Sequence, residues 1–400
     1  MTVARLDGCG NSLRPKRKRL VVAALAICLA WGALAAAVRW LPGAGPFFAD
    51  ALRSLVGRKA VTRLEQGLSR VEDSWKKALP EPAPRSIRDV GVPLTTGDAA
   101  ERPPAQDAPS EHPLDVGPML ARDANKEDGR WVVVRIPGAS TGVPNLLATM
   151  LHPDPKRSWA EVFVVAVRTS RMRLYAVAGT AEPHATTLEG RAYQRRGVIP
   201  EEHRSRLLFA FNGGFKTEHG QHGMFVDGVT LVRPKRGLCT IVAWPNGTPV
   251  IGTWTNVEAW AALAQSRLGF WRQAAPCMYE RGELNPLLAD ESVRNWGATL
   301  DGNVVIRRSA IGLDVTRETL FVGVSNDTTA RAVAEAMHHA GATEVAQLDV
   351  NWSYPKIVIF LRNGTGDLRT EGLFKGFLFH HDDFIGRPSE RDFFYVLRAQ

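Results

Sequence analysis

Three short stretches, far apart in the chain, hold the side chains best suited to chemistry. The first is Phe211-Asn212-Gly213-Gly214-Phe215, which follows the apolar run Leu207-Leu208-Phe209-Ala210 and sets two glycines where a strand should stop. Glycines there let a backbone approach a ligand closely, and the Asn212 amide can donate to a sugar hydroxyl or a phosphate oxygen; an ordinary turn is the alternative. The second is Ile306-Arg307-Arg308-Ser309-Ala310-Ile311-Gly312, where strand alternation sends Arg307 and Arg308 to opposite faces. A guanidinium held towards a cleft is a planar fork of donors suited to phosphate, whereas one at the surface is a salt-bridge partner. The third is Gln347-Leu348-Asp349, whose carboxylate stands at the end of a strand entered from a helix, an edge where ligands collect. The alternative for Asp349 is a structural carboxylate that caps nearby amides.

Between the first stretch and the next strand lies the polar segment Lys216-Thr217-Glu218-His219-Gly220-Gln221-His222-Gly223. It has the composition of a cleft rim, with Glu218 and His222 as candidate general acid or base groups unless they are simply solvated. Asp227 reads as a turn former. His338 and His339 are adjacent on a helix and do not face the same way, and His380-His381-Asp382-Asp383 lies in irregular sequence. Neither a metal nor a cofactor is expected.

The order of these stretches, with Gly223-Met224-Phe225-Val226-Asp227-Gly228 between the first and second, resembles the phosphodiester glycosidase domain family from about Val162 to Phe360. The resemblance implies hydrolysis at the anomeric carbon of a sugar joined through phosphate to another group. It casts Arg308 as the phosphate clamp, Asp349 as the electrostatic or basic carboxylate, and Asn212, Gly213 and Gly214 as substrate-positioning groups. Glu218 or His222 would then supply the second acid or base. The last block departs from the family's Leu-Asp-Gly-Gly-Gly-Ser pattern, reading Leu348-Asp349-Val350-Asn351-Trp352-Ser353. Asn351, Trp352 and Ser353 would replace a backbone cradle with hydrogen bonds and a stacking face. Two other classes stay open: a non-catalytic glycan-binding envelope protein on the same fold, and a structural envelope protein with no cleft around Asn212 and Asp349.

The elements that must position these residues are short and β-rich. Strand-like runs cover Trp131–Ile136, Val162–Val167, Leu174–Ala178, Leu207–Phe211, Met224–Val232, Thr240–Trp244 and Thr248–Trp254. Asp227-Gly228, Asn246-Gly247 and Asp301-Gly302 each sit between apolar runs and mark hairpins. Thr319–Val324 leads into a helix with Asp327 as its expected N-cap, Ala330, Val333, Ala334 and Met337 on one face, and a stop near Gly341. The strand Glu344–Val350 follows, so strand, helix and strand form a right-handed β-α-β crossover. The fold class is therefore α+β, with a mixed, largely antiparallel sheet, preceded by one transmembrane helix.

That helix is the uncharged run Leu20–Val38, close to the length that crosses a bilayer. Arg5, Arg14, Lys16, Arg17, Lys18 and Arg19 precede it, which puts the N-terminus in the cytoplasm and the rest outside. A cleaved signal peptide ending near Ala33-Leu34-Ala35 is the alternative. The domain plan is a basic tail at 1–19, an anchor at 20–41, a juxtamembrane helix at 42–79, a disordered linker at 80–127 and the phosphodiester-glycosidase-like domain at 128–400. Val61, Leu64, Leu68, Val71 and Trp75 line one helical face, which can pack on the domain, lie on lipid, or self-associate within 51–79.

With 400 residues, 44% of them hydrophobic, the chain can bury a sizeable core. The net charge of +9 is spread along it, with no basic run interleaved with aromatics beyond the N-terminus, so nucleic acid is not an expected partner. The expected partners are a glycan or sugar-phosphate substrate and, through the N-terminal helix, a membrane. Of four cysteines, Cys239 and Cys277 are the exported pair, either joined or separately buried.

Overall fold

The structure is a computed structural model and describes residues 71–399 apart from 72, 80–86, 88–114, 135, 137–145, 264–267, 290–294, 298–304, 352 and 363–365. The basic tail, the apolar run Leu20–Val38 and the Asp301-Gly302 turn lie outside these residues. Among the described residues no helix is long and apolar enough to cross a membrane.

Three antiparallel sheets share one core. The largest runs, in spatial order, Val132–Val134, Leu146–Leu151, Val162–Arg168, Thr319–Thr328, Ile306–Leu313, Glu344–Val350, Tyr279–Glu280 and Glu283–Leu284. The second runs Val229–Val232, Met224–Val226, Phe270–Gln273, Cys239–Ala243 and Pro249–Thr253. The third runs Leu368–Gly372, Ile357–Arg362, Leu207–Asn212, Phe393–Arg398 and Met172–Val177.

Alternation along each strand decides what each face meets. Phe163, Val165 and Val167 point into the shared core with Phe209, Ile241, Ile311, Leu348 and Phe394. Val162, Val164 and Ala166 point the other way, onto Val333, Ala334 and Met337 of the helix Ala330–His339. The helix is kept on the sheet by that apolar stripe, as the sequence spacing requires.

Three expectations change. Every ladder among the described strands is antiparallel, so the large sheet is not mixed. Thr319–Thr328 and Glu344–Val350 do run parallel across the helix, but Ile306–Leu313 lies between them and pairs with both. A crossover fixes the relative direction of two strands and leaves room for a third between them. The helix cap is Thr329, whose Oγ1 accepts from Ala332 N at 3.1 Å, and not Asp327. Asp327 belongs to a strand that continues to Thr328 because Thr328 pairs with Ile306.

The segment ahead of the sheets packs on them. Residues 73–78 are helical, and Asp73 receives Arg157 Nε at 2.6 Å and Nη2 at 2.9 Å while Lys76 reaches Asp327 at 2.8 Å. This leaves Val71 and Trp75 on the exposed side. Within the stretch read as linker, Ile87 is buried in the shared core and Ala121–Lys126 forms a 3-10 helix. Cys239 and Cys277 are joined by a disulfide, with their Cα atoms 4.6 Å apart.

Candidate functional site

Pairing of Leu207–Asn212 with Phe393–Arg398 places Asn212 opposite Phe393, which brings Arg391 and Asp392 beside the Gly213-Gly214 turn. Asp349 N donates to Gly213 O at 3.0 Å, and Gly213 N donates to Asp392 O at 2.9 Å. The Asn212 amide donates to Ser309 Oγ at 2.8 Å, and that hydroxyl donates to Asp349 O at 3.2 Å. The first stretch, the Ile306–Leu313 strand and the Asp349 strand therefore meet in one hydrogen-bonded cluster. Asn212 is fully buried, so its amide joins backbone segments and faces no solvent.

Asp349 is 1% exposed. Arg391 Nη1 lies 2.5 Å from its Oδ2, and Asn351 Nδ2 donates to the same oxygen at 2.6 Å. Burial pushes the Asp349 carboxyl up to about 6 despite the adjacent Arg391. The Arg391 guanidinium stacks 4.5 Å from the ring centre of Tyr354. Its Nε is buried and has no acceptor among the described residues. A buried donor without a partner costs about 1–3 kcal/mol unless water or a ligand supplies the acceptor.

Behind the turn lies a second, deeper pair. Arg272 is completely buried and grips Asp392 through Nε at 2.8 Å and Nη2 at 3.2 Å. Its remaining donors reach His222 O at 3.0 Å and Phe215 O at 2.7 Å. Asp392 Oδ2 also accepts from Gly214 N at 3.0 Å, and its carbonyl accepts from the Tyr354 hydroxyl. The two glycines are thus required by the protein's own side chains. A Cβ on Gly213 would sit 2.2 Å from Asp392 O and 2.3 Å from Oδ2; one on Gly214 would sit 2.8 Å from the Arg272 guanidinium carbon. Gly213→Ala is expected to lower stability by about 3 kcal/mol, as overpacking against backbone does, in a denaturant melt. An unchanged midpoint would refute this tight contact.

Arg308 does not face the site. It is 1% exposed, and it donates to Thr328 O at 3.1 Å, Trp296 O at 2.6 Å and Gln347 Oε1 at 3.3 Å. Burial draws its pKa down to about 9. A guanidinium enclosed by those acceptors is a bracket for the sheet, so Arg391 and not Arg308 is the cation beside Asp349. Both ladders of this strand shift register next to Arg308. Arg307, on the other face as alternation requires, reaches Gly376 O at 2.8 Å and lies over the Phe377 ring.

The rim residues divide. His222 is buried against Phe215, and burial together with Arg272 pushes its pKa down to about 3, so it stays neutral and out of reach of solvent. Glu218 is exposed and pairs with His219 at 3.5 Å. His219, which the sequence did not single out, lies within electrostatic reach of Arg391 and Glu182, and burial lowers its pKa. Asn351 accepts from Ser353 N at 2.9 Å and Tyr354 N at 2.6 Å, so it shapes the turn and orients Asp349. Ser353 donates its hydroxyl to Asn351 at 3.4 Å, and Trp352 lies outside the described residues. Among the described residues no group of three or more His, Cys, Asp or Glu side chains can hold a metal.

Sequence reasoning missed Ser309, Arg272, Tyr354, Arg391 and Asp392. Only Glu390-Arg391-Asp392, a charged triplet directly before the apolar run Phe393-Phe394-Tyr395-Val396, carries a local signal.

No family model matches the chain, and no curated protein matches it. Among solved structures it is similar to the catalytic domain of zebrafish N-acetylglucosamine-1-phosphodiester alpha-N-acetylglucosaminidase, auto-inhibited by pro-peptide. Identity is 15%, with 68% of this chain and 88% of that chain covered and a TM-score of 0.42. It is also similar to a hypothetical protein from Synechocystis at 11% identity, covering 65% of this chain and 63% of that chain with a TM-score of 0.36. These are distant structural resemblances.

Proposed function

We propose that the chain is a hydrolase that cleaves the bond between the anomeric carbon of a sugar and a phosphodiester. The observation that carries this reading is the buried Asp349–Arg391 pair, with an unpartnered Arg391 Nε, held at the Asn212-Gly213-Gly214 turn. Arg391 takes a phosphate oxygen of the substrate, which satisfies its free donor and draws it from Asp349. The released carboxylate faces the positive charge that develops at the anomeric carbon. Water forms the new bond to that carbon and passes a proton to His219, and the bond to phosphate breaks with its electron pair staying on the phosphate oxygen. His219 stands exposed at the rim, where solvent can carry the proton away, and desolvation lowers its pKa, which favours the neutral form a base needs.

The rate is expected to rise with pH through about 6, because Asp349 works only when ionised and its pKa is raised to that value. A pH–rate profile on a model sugar phosphodiester checks this; an acid limb near 4 would remove Asp349 from the role. The closed carboxylate also favours a second reading, a glycan-binding protein that performs no hydrolysis. Retention of sugars without turnover of any phosphodiester in a broad panel would establish it instead.

In the same proposal residues 20–41 tether the chain to a membrane, residues 1–19 stay in the cytoplasm, and residues 51–79 mediate self-association. The exposed Val71 and Trp75 support that last role, and a disulfide such as Cys239–Cys277 persists outside the reducing cytoplasm. Labelling of Cys9 by an impermeant reagent in intact cells would refute the topology.

A further inference from the structure

An open cavity of about 570 Å³ lies next to the Arg391 segment, and none of the residues discussed above as catalytic lines it. Its walls include Thr180, Ala181, His184, Arg191, Tyr193 and Arg195. Thr180 N donates to Ser389 O at 2.9 Å and Ala181 N to Glu390 O at 3.0 Å, so the wall is bonded to the residues directly preceding Arg391 and Asp392.

The lining has two chemistries. Among the described residues Arg195 donates to the carbonyls of Gly179 at 3.4 Å and Ala181 at 3.2 Å and forms no ion pair, although Glu182 and Asp392 lie within its electrostatic reach. Arg195 is half-buried, so its charge sits in a medium of lower dielectric than water, where an anion is attracted more strongly. Tyr193 supplies an aromatic wall. Its hydroxyl donates to Asp227, the residue at the tip of the Met224–Val226 and Val229–Val232 hairpin, and that bond fixes the ring. Asp227 therefore has work beyond forming a turn. Glu182 connects the two regions: it accepts from Thr217 N and His184 N, both at 3.0 Å, and lies within electrostatic reach of both Arg195 and His219.

We propose that this cavity binds an anionic saccharide, with the sugar ring against Tyr193 and the acidic group on Arg195 and Arg191. The idea deepens the hydrolase reading by assigning a subsite for the charged part of the substrate beyond the bond that breaks, and it rests on that reading only for the order of events. An aromatic platform combined with guanidinium groups lining the same cavity selects a ring bearing charge over either part alone.

The test is calorimetric titration of the full chain with glucose 1-phosphate, glucuronate, glucose and inorganic phosphate. A charged sugar is expected to bind at least about tenfold more tightly than glucose, with the gain lost in the Arg191→Gln/Arg195→Gln double variant, since one charge-assisted contact is worth a tenfold factor or more. Phosphate and carboxylate sources are separated by the glucose 1-phosphate and glucuronate arms. Tyr193→Leu should weaken both sugars while leaving inorganic phosphate unchanged, a pattern that simple misfolding cannot give. Equal binding of charged and neutral sugars, or affinities unmoved by the double variant, overturns the proposal. Charged-sugar binding that the double variant abolishes, in a wild-type chain that hydrolyses no sugar phosphodiester, would sink the hydrolase reading and keep the cavity. Hydrolysis with KM values unmoved by the double variant would do the reverse.

Discussion

Asp349→Asn should reduce hydrolysis of a sugar phosphodiester by about a thousandfold or more in kcat, the scale lost when a positioned charge or proton-transfer group is removed. The amide has the shape of the carboxylate and can still accept from Arg391 and Asn351, which bond to Oδ2 in the native chain. It cannot offset positive charge at the anomeric carbon. The pH dependence of stability supplies an independent readout. The Asp349 pKa is raised above its ordinary value by burial, so its favourable contribution is complete below about 4 and lost as pH climbs through about 6. The variant should lose that portion of the pH dependence between 4 and 6, measured as melting temperature against pH. Wild-type turnover in a folded Asp349→Asn protein would end the hydrolase assignment to this carboxylate.

Arg272→Met is expected to cost about 3–5 kcal/mol, because it strands a buried carboxylate, and a domain's whole stability is about 5–15 kcal/mol. Asp392 is 2% exposed and keeps the Gly214 amide and the Tyr354 hydroxyl as partners, neither of which carries positive charge. The carbonyls of Phe215 and His222 lose their donor in the same step. Arg272→Lys should fall between the two, since an ammonium restores charge without the fork that reaches both carboxylate oxygens. Pairing Arg272→Met with Asp392→Leu should cost less than the two single changes added together. Denaturant midpoints for the four proteins decide it; additive losses would mean that the pair is not coupled.

The site was legible where its residues carry local marks. Two glycines after an apolar run, and an aspartate ending a strand that leaves a helix, announce themselves in a few residues of sequence. What they touch does not. Gly213 and Gly214 are read as admitting a ligand, and they admit Asp392 and Arg272, which lie 120 residues apart in the chain. Arg308 shows the limit of alternation: the rule separates it from Arg307 correctly but cannot say which face ends sealed by Trp296, Gln347 and Thr328. The strand Phe393–Arg398 is buried along nearly its whole length, so it lacks the in-out pattern that marks a half-exposed strand. The helix start was misplaced by two residues because Asp327 and Thr329 are both good caps, and the choice is made by the pairing of Thr328 with Ile306. The hairpins at Asp227-Gly228 and Asn246-Gly247 needed no such distant information and formed as read.

The interior position of Phe393–Arg398, between Leu207–Asn212 and Met172–Val177, bears on biosynthesis. A ribosome has translated Asp349 and the glycine turn well before it reaches Arg391 and Asp392. Until those codons are read and the segment has emerged from the exit tunnel, the carboxylate lacks its counter-ion and Arg272 lacks its own. A nascent polypeptide interrupted before residue 391 therefore holds both Asp349 and Arg272 without the charges that balance them.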